Sequence, residues 1–242
     1  MKIPFNTETN ILLRNNTPVD DFLGLSSTEI HHLLYDTFGE NSPIQFRKNI
    51  DDKTLDQIPL FRIAEEFLKI IYRDKQIMLT PLGALPKKVV AELYDKRFLL
   101  EELVEKGISK LWREEDSISI RSARFSTELA GLVRKANGKL TLTKTATKLL
   151  DTNNRLQIFR QFFQAFTDKY LRAFSKFIRF FRPGYSTPEQ QFFRCYGVRT
   201  FDRFFLWFGF VTVEQQNIFL DLETDKFKRT DLQKSIFEID DQ

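Results

Sequence analysis

Asn137-Gly138 stands between short apolar runs, Leu132-Val133 before it and Leu140 to Thr143 after it. A two-residue connection between twisted strands needs positive φ at both turn positions, which asparagine and glycine tolerate. The dipeptide therefore predicts a hairpin whose strands include Val133 and Leu140 to Thr143. Just upstream, Phe125, Leu129 and Leu132 fall on one side of a helix read over Ser122 to Leu132. Gly131 passes that helix to the first strand.

The elements before the hairpin follow from the same signals. Leu60, Ile63, Ala64, Phe67, Ile70 and Ile71 keep helical spacing, and Pro59 suits a first turn. Ile77 to Thr80 reads as a short strand and Pro81 to Ala84 as a turn. Pro86 then opens a helix through Val89, Val90, Leu93 and Tyr94. A charged helix from Phe98 to Lys106, stopped at Gly107, and the acidic run Glu114 to Asp116 form an insertion. The order helix, strand, helix, insertion, helix, hairpin is the winged-helix plan, with the hairpin as the wing.

The helix-to-hairpin signature returns. Glu128-Leu-Ala-Gly-Leu-Val133 and Leu206-Trp-Phe-Gly-Phe-Val211 share an offset of 78 residues, and Arg121 and Arg199 fall on it too. The second copy is read as strands over 212–217 and 218–222. A fainter echo relates Leu79 to Gly83 with Leu142 to Ala146, the first supplying a strand that pairs with the wing. The expected fold is mainly α with short β-hairpins (α+β). Its organisation is a head over 1–57, a first winged-helix-like unit with its insertion over 58–152, and a long helix with a second unit over 153–242. In the head, Ser26 and Glu29 make a capping box for a helix bearing Ile30, Leu33, Leu34 and Phe38, ended by Gly39. Ile44 to Phe46 reads as extended, and Asp51 and Asp52 open the next helix.

The runs Leu79 to Tyr94, Ala123 to Val133 and Lys139 to Thr143 resemble an uncharacterised bacterial tandem winged-helix family, whose members occur alone or beside plasmid-associated domains. The resemblance extends to Arg199 to Val211 and so covers most of the chain. It implies the fold, and no activity or functional residues.

Between Phe159 and Phe210 lie 19 of the 34 aromatic residues. Phe159, Phe163, Phe166, Tyr170, Phe174, Phe177 and Phe181 take one face of a helix read from Arg155 to Pro183, and Lys169, Arg172, Lys176 and Arg179 take the other. Such a stripe is expected to be buried, because phenylalanine lacks the polar handle of a wet interface. The competing reading is a stacking platform for single-stranded nucleic acid.

Charge divides unevenly. Residues 1–57 hold 5 basic and 9 acidic side chains, 58–150 hold 18 and 12, and 151–242 hold 14 and 12, for a net charge of +4. A basic body beside an acidic head suits a polyanionic partner for the body. Cys195 is the single cysteine, which excludes an internal disulfide. Met1 to Asn10 show no signal-peptide core and no stretch is apolar enough to span a membrane, so the expected compartment is cytoplasmic, with no membrane partner. His31 and His32 diverge by about 100° on a helix and have no third ligand nearby, so no metal is expected. No catalytic motif and no phosphate-cradling loop is present. No enzyme activity and no cofactor is expected.

The candidate DNA-binding residues are Arg121, Arg124 and Ser126 on the third helix, Arg134, Lys135 and Lys139 in the wing, and Lys87 and Lys88 opening the second helix. Arg199, Thr200 and Arg203 are their counterparts in the second unit, whose wing holds Glu214 and Asp221. The preferred reading is a non-enzymatic regulator or mobile-element accessory factor that binds duplex DNA. The alternative is a protein-interaction module docking through the acidic head or the 97–116 insertion.

Overall fold

The computed structural model describes residues 7–20, 24–170, 204–215 and 226–239. The chain divides into two compact units, residues 1–49 with 233–242 and residues 50–232. Its class is α+β.

The smaller unit contains α1 (Thr7–Asn15), α2 (Ser27–Tyr35) and β1 (Ile44–Phe46), which pairs antiparallel with the chain's last strand, β7 (Phe237–Ile239). The capping box is present: Ser26 Oγ accepts from Glu29 N, and Glu29 Oε2 accepts from Ser26 N at 2.7 Å. The helix stops at Tyr35, short of the expected Gly39. Asp36 leaves helical geometry, and Phe38 instead joins Phe46 and Phe237 at ring separations of 4.8 and 6.1 Å. Burial in an aromatic cluster outweighs one more helical turn.

The larger unit opens with α3 (Asp52–Asp56), capped by Asp51 accepting from Thr54 N at 2.8 Å, and α4 (Pro59–Asp74), with Pro59 in its first turn. All six apolar positions expected on the core face of α4 are buried, and Phe61, Glu65 and Leu68 are buried with them. β2 (Ile77–Met78) leads through a turn to α5 (Lys87–Tyr94). The expected Phe98 to Lys106 helix shrinks to α6 (Glu102–Glu105), and a 3₁₀ turn covers Glu114–Asp116.

The third helix, α7, spans Ile118–Leu129 and starts four residues before the expected Ser122. Ser117 is its cap, accepting from Ile120 N, and Glu101 binds Ser117 and Ser119 from the insertion. The hairpin β3 (Val133–Ala136) and β4 (Lys139–Leu142) turns at Asn137 (φ 50°) and Gly138 (φ 69°), as expected. β2 pairs with β4, giving a three-stranded antiparallel sheet in the order β2-β4-β3. α8 (Lys144–Asp151) follows, then α9 (Arg155–Gln164), which passes into a π-helical stretch over Ala165–Tyr170.

β5 (Val211–Gln215) pairs with β6 (Lys226–Arg229) in a second hairpin, before α10 (Leu232–Ile236). The partner strand is thus 226–229 and not the expected 218–222, which lies outside the described residues.

Both hairpins use one set of backbone bonds. Gly131 N donates to Glu128 O and Leu132 N to Thr127 O; Gly209 N donates to Leu206 O and Phe210 N to Phe205 O. This is the glycine helix exit in which two successive amides cap the last turn, and both glycines have φ 71°. Each second strand then returns to a threonine. Thr143 hydroxyl donates to Gly131 O at 2.9 Å, and Thr230 hydroxyl to Gly209 O at 2.7 Å. The repeat read from the glycine offset is therefore also a repeat of hydrogen bonds, and the threonine clasp completes it.

Under these elements lies a ring cluster. Phe159, Phe162, Phe163, Phe166, Phe208 and Phe61 are all buried, with Phe163 and Phe208 edge to face at 4.9 Å. The first rings of the aromatic stripe are therefore core. Phe174, Phe177 and Phe181, with Arg172, Lys176 and Arg179, lie outside the described residues. Among the described residues no helix is long and apolar enough to cross a membrane.

Candidate nucleic-acid interface

The sheet register sorts the wing cations. Opposed residues of an antiparallel pair share a face, and successive residues alternate. Lys135 opposes Leu140, which also opposes Ile77, and both apolar partners are buried. Lys135 therefore starts from the core-side face. Its exposed side chain reaches Gly83, where a methyl group would meet its Nζ at 3.4 Å. Arg134 opposes Thr141, and Lys139 opposes Ala136 and Met78, so these two cations share the outer face. Arg134 is exposed and Lys139 half-buried. The wing offers cations on both faces instead of one track.

At the start of α5, Lys87 and Lys88 are both exposed. Lys87 Nζ stands 4.2 Å from the centre of the Trp112 ring. Lys88 lies in the field of Asp74 and Glu92, whose acidities are raised chiefly by hydrogen bonds from Arg73. Of the two, Lys87 is the less compensated.

Helix α7 departs from expectation. Arg121 is exposed, but Arg124 is 2 % exposed and Ser126 fully buried. Arg124 faces the insertion: its Nη1 donates to Glu114 Oε2 at 2.7 Å and its Nε to Glu128 Oε1 at 2.8 Å. Glu114, itself buried, also accepts from Leu85 N at 2.6 Å. This guanidinium is a cross-brace between α7, the insertion and the start of α5, and it cannot meet a base or a phosphate. The helix also packs on the π-helical stretch, where Lys169 Nζ donates to Leu129 O at 3.0 Å. What α7 leaves exposed or half-exposed is Ile118, Arg121, Phe125, Glu128 and Leu129, three apolar residues with one cation and one carboxylate, an edge more apolar than a base-reading helix presents.

Of the candidates, then, Arg121, Arg134, Lys135, Lys139, Lys87 and Lys88 reach the surface, while Arg124 and Ser126 are withdrawn. Arg199, Thr200 and Arg203 lie outside the described residues. The second hairpin carries more positive charge than Glu214 and Asp221 suggested, because its paired strand is Lys226-Phe-Lys-Arg229, with Lys228 and Arg229 exposed. That run was readable in the sequence and was missed by placing the strand at 218–222.

A second ionic cluster had no signal in the helical patterning. Buried Glu65 accepts from Arg155 Nε at 2.6 Å, and Arg155 also reaches Asp56 at 2.8 Å and Asp52 at 3.3 Å. Burial alone would pull the Arg155 pKa down, but its bonds to Glu65 and Asp56 outweigh that and hold it charged. Tyr72, donating to Asp151 at 2.7 Å, and Lys69 join these groups around a cleft of about 370 Å³. The cleft's ionic groups largely answer one another, so it reads as structure.

Residues 56–155 match the family described as the Y4jL N-terminal domain. No curated protein and no solved structure matches the chain. The two ends of the matched segment, Asp56 and Arg155, are joined by the 2.8 Å ion pair. Ends that meet in this way suit a unit inserted in or appended to other sequence.

Proposed function

We propose that this is a non-enzymatic DNA-binding protein of winged-helix type, acting as a regulator or mobile-element accessory factor, and that it grips duplex DNA by its phosphates. The observation that carries the reading is the sheet order β2-β4-β3 packed with α4 and α7, with Arg134, Lys135, Lys87 and Lys88 exposed in this unit. That order is the strand arrangement of a winged helix, and cations on a wing and a helix start are placed for phosphate. The Gly209 to Thr230 repeat supports a second such unit, as in the tandem family that the sequence resembles. With Arg124 and Ser126 buried, base reading falls to Arg121 alone on α7, so binding is weakly sequence-selective.

Fluorescence anisotropy with a random duplex at low salt tests this. Affinity falls with salt at a logarithmic slope of about −0.9 per phosphate neutralised. Lys135→Glu with Lys139→Glu weakens binding to all sequences alike. Absence of binding at tens of micromolar protein, against a usual non-specific Kd of about 10⁻⁴ to 10⁻⁶ M, overturns the reading.

A second reading, a protein-docking module, has its own support. Leu100, Leu103 and Ile108 of the insertion and Ile118 and Leu129 of α7 are exposed. Failure of DNA binding would transfer the function to that apolar surface.

A further inference from the structure

We infer that Trp112 is a stacking site for an unpaired base, so that the DNA this surface prefers is a duplex with a single-stranded extension. The inference rests on the duplex-binding reading for the neighbouring cations and goes beyond it in the kind of DNA end recognised.

Tryptophan is rarely left in water without a partner, yet Trp112 is 55 % exposed. Two ammonium groups lie over its ring, Lys87 Nζ at 4.2 Å and Lys110 Nζ at 5.6 Å from the centroid. Arg113, next to it in sequence, and Lys88, next to Lys87, are both exposed. A half-exposed indole among cations is an arrangement that holds single strands, the ring exchanging an ammonium partner for a base and the cations taking its flanking phosphates. The buried phenylalanines of α9 cannot serve in this way, since their rings are enclosed in the core.

The backbone that carries the ring is also held in place. Trp112 N and Arg113 N both donate to Asp116 Oδ2 at 2.8 Å, closing the turn that carries the indole. Two residues on, Glu114 fastens that turn to Arg124 and to Leu85 N. A rigid mount lowers the ordering cost of binding, as a stacking platform requires. Lys87 belongs to both groups, because it borders the indole and opens α5, where duplex phosphates are expected.

The test compares a blunt duplex with the same duplex carrying an unpaired thymidine tail, using the full chain. The tailed duplex binds about fivefold tighter or more, the low end of what base stacking supplies. The chain has two tryptophans, so a Trp207→Phe background isolates Trp112 emission, which the tailed but not the blunt duplex quenches. Trp112→Leu removes the tail's advantage and leaves the blunt duplex bound as before. Equal affinity for both DNAs with unquenched Trp112 overturns the inference while leaving duplex binding intact. Loss of blunt-duplex binding alone, with a thymidine oligomer still quenching Trp112, overturns the duplex reading and supports this site.

Discussion

The two hairpins share a local plan and differ in what lies beneath them. Each begins at a glycine helix exit and ends at a threonine clasp. The first is turned by two residues and widened by β2 into a three-stranded sheet. It leans on a helix braced by Glu114 and Arg124, in a region laced by Glu65–Arg155 and by Glu66 with Lys69 and Lys96. The second has ten residues between its strands and, among the described residues, two strands only. It is reached through rings: Phe208 and Phe210 are buried against Phe163, and Phe208 against Phe166. One backbone motif can thus be seated on an aliphatic core edged by ion pairs or on aromatic packing. What supports it must be found in tertiary structure.

The ring side should be the more expensive to damage. Phe166 is fully buried and touches Phe162, Phe204 and Phe208. Phe166→Ala is expected to cost about 3–5 kcal/mol in urea unfolding, as loss of transfer energy and an unfilled cavity combine. A cost below about 1 kcal/mol would mean that the second hairpin is not built on these rings.

The paired glycines sharpen the comparison at smaller scale. Both hold φ 71°, where a side chain costs about 1–2 kcal/mol. A methyl group on Gly131 would meet open space, but on Gly209 it would come 2.8 Å from Gln57 O and 3.2 Å from the Leu232 side chain. Gly209→Ala is therefore expected to destabilise more than Gly131→Ala, by about a further 1 kcal/mol for the displaced backbone. Equal costs would show that only the local conformation, common to both, matters.

Several elements were legible in the sequence, because each was announced by neighbours in the chain. Pro59, Asn137-Gly138 and the Ser26 to Glu29 box act within a few residues, and the structure keeps all three. Gly131 and Gly209 were legible for the same reason. The failures came where distant groups decided the outcome. Arg124 lies on a polar part of α7 in sequence and is buried because Glu114, ten residues away across a turn, meets it. Phe38 leaves its helix for Phe237 at the other end of the chain. Glu65 shares a helix with the apolar core positions and is tolerated there because Arg155, 90 residues later, meets it at 2.6 Å, with Lys69 at 3.5 Å beside it. The candidate interface divides along the same line: the wing cations followed from a local turn, whereas Trp112 depends on Lys87 meeting it through the fold.

The smallest expected effect separates the two foundations most directly, through pH. Burial on its own would raise the Glu66 pKa, but bonds and charge from Lys69 at 3.1 Å and Lys96 at 3.3 Å more than reverse this, and the net shift is below the ordinary value of 4.5. A carboxylate whose pKa is lower folded than unfolded contributes stability above its unfolded pKa and loses it as pH falls through the folded one. Both lysines are about half exposed, so the contribution is screened to at most about 1 kcal/mol. Glu66→Gln should therefore weaken the protein slightly at pH 7, with the difference shrinking as pH falls below 4.5. Phe166 does not titrate, and the cost of Phe166→Ala should hold across the same range. Urea unfolding of the parent and both variants at neutral and acid pH measures both. A Glu66→Gln difference that persists in acid would mean that the side chain acts by packing and not by charge, and the contrast between the two hairpins would lose its electrostatic half.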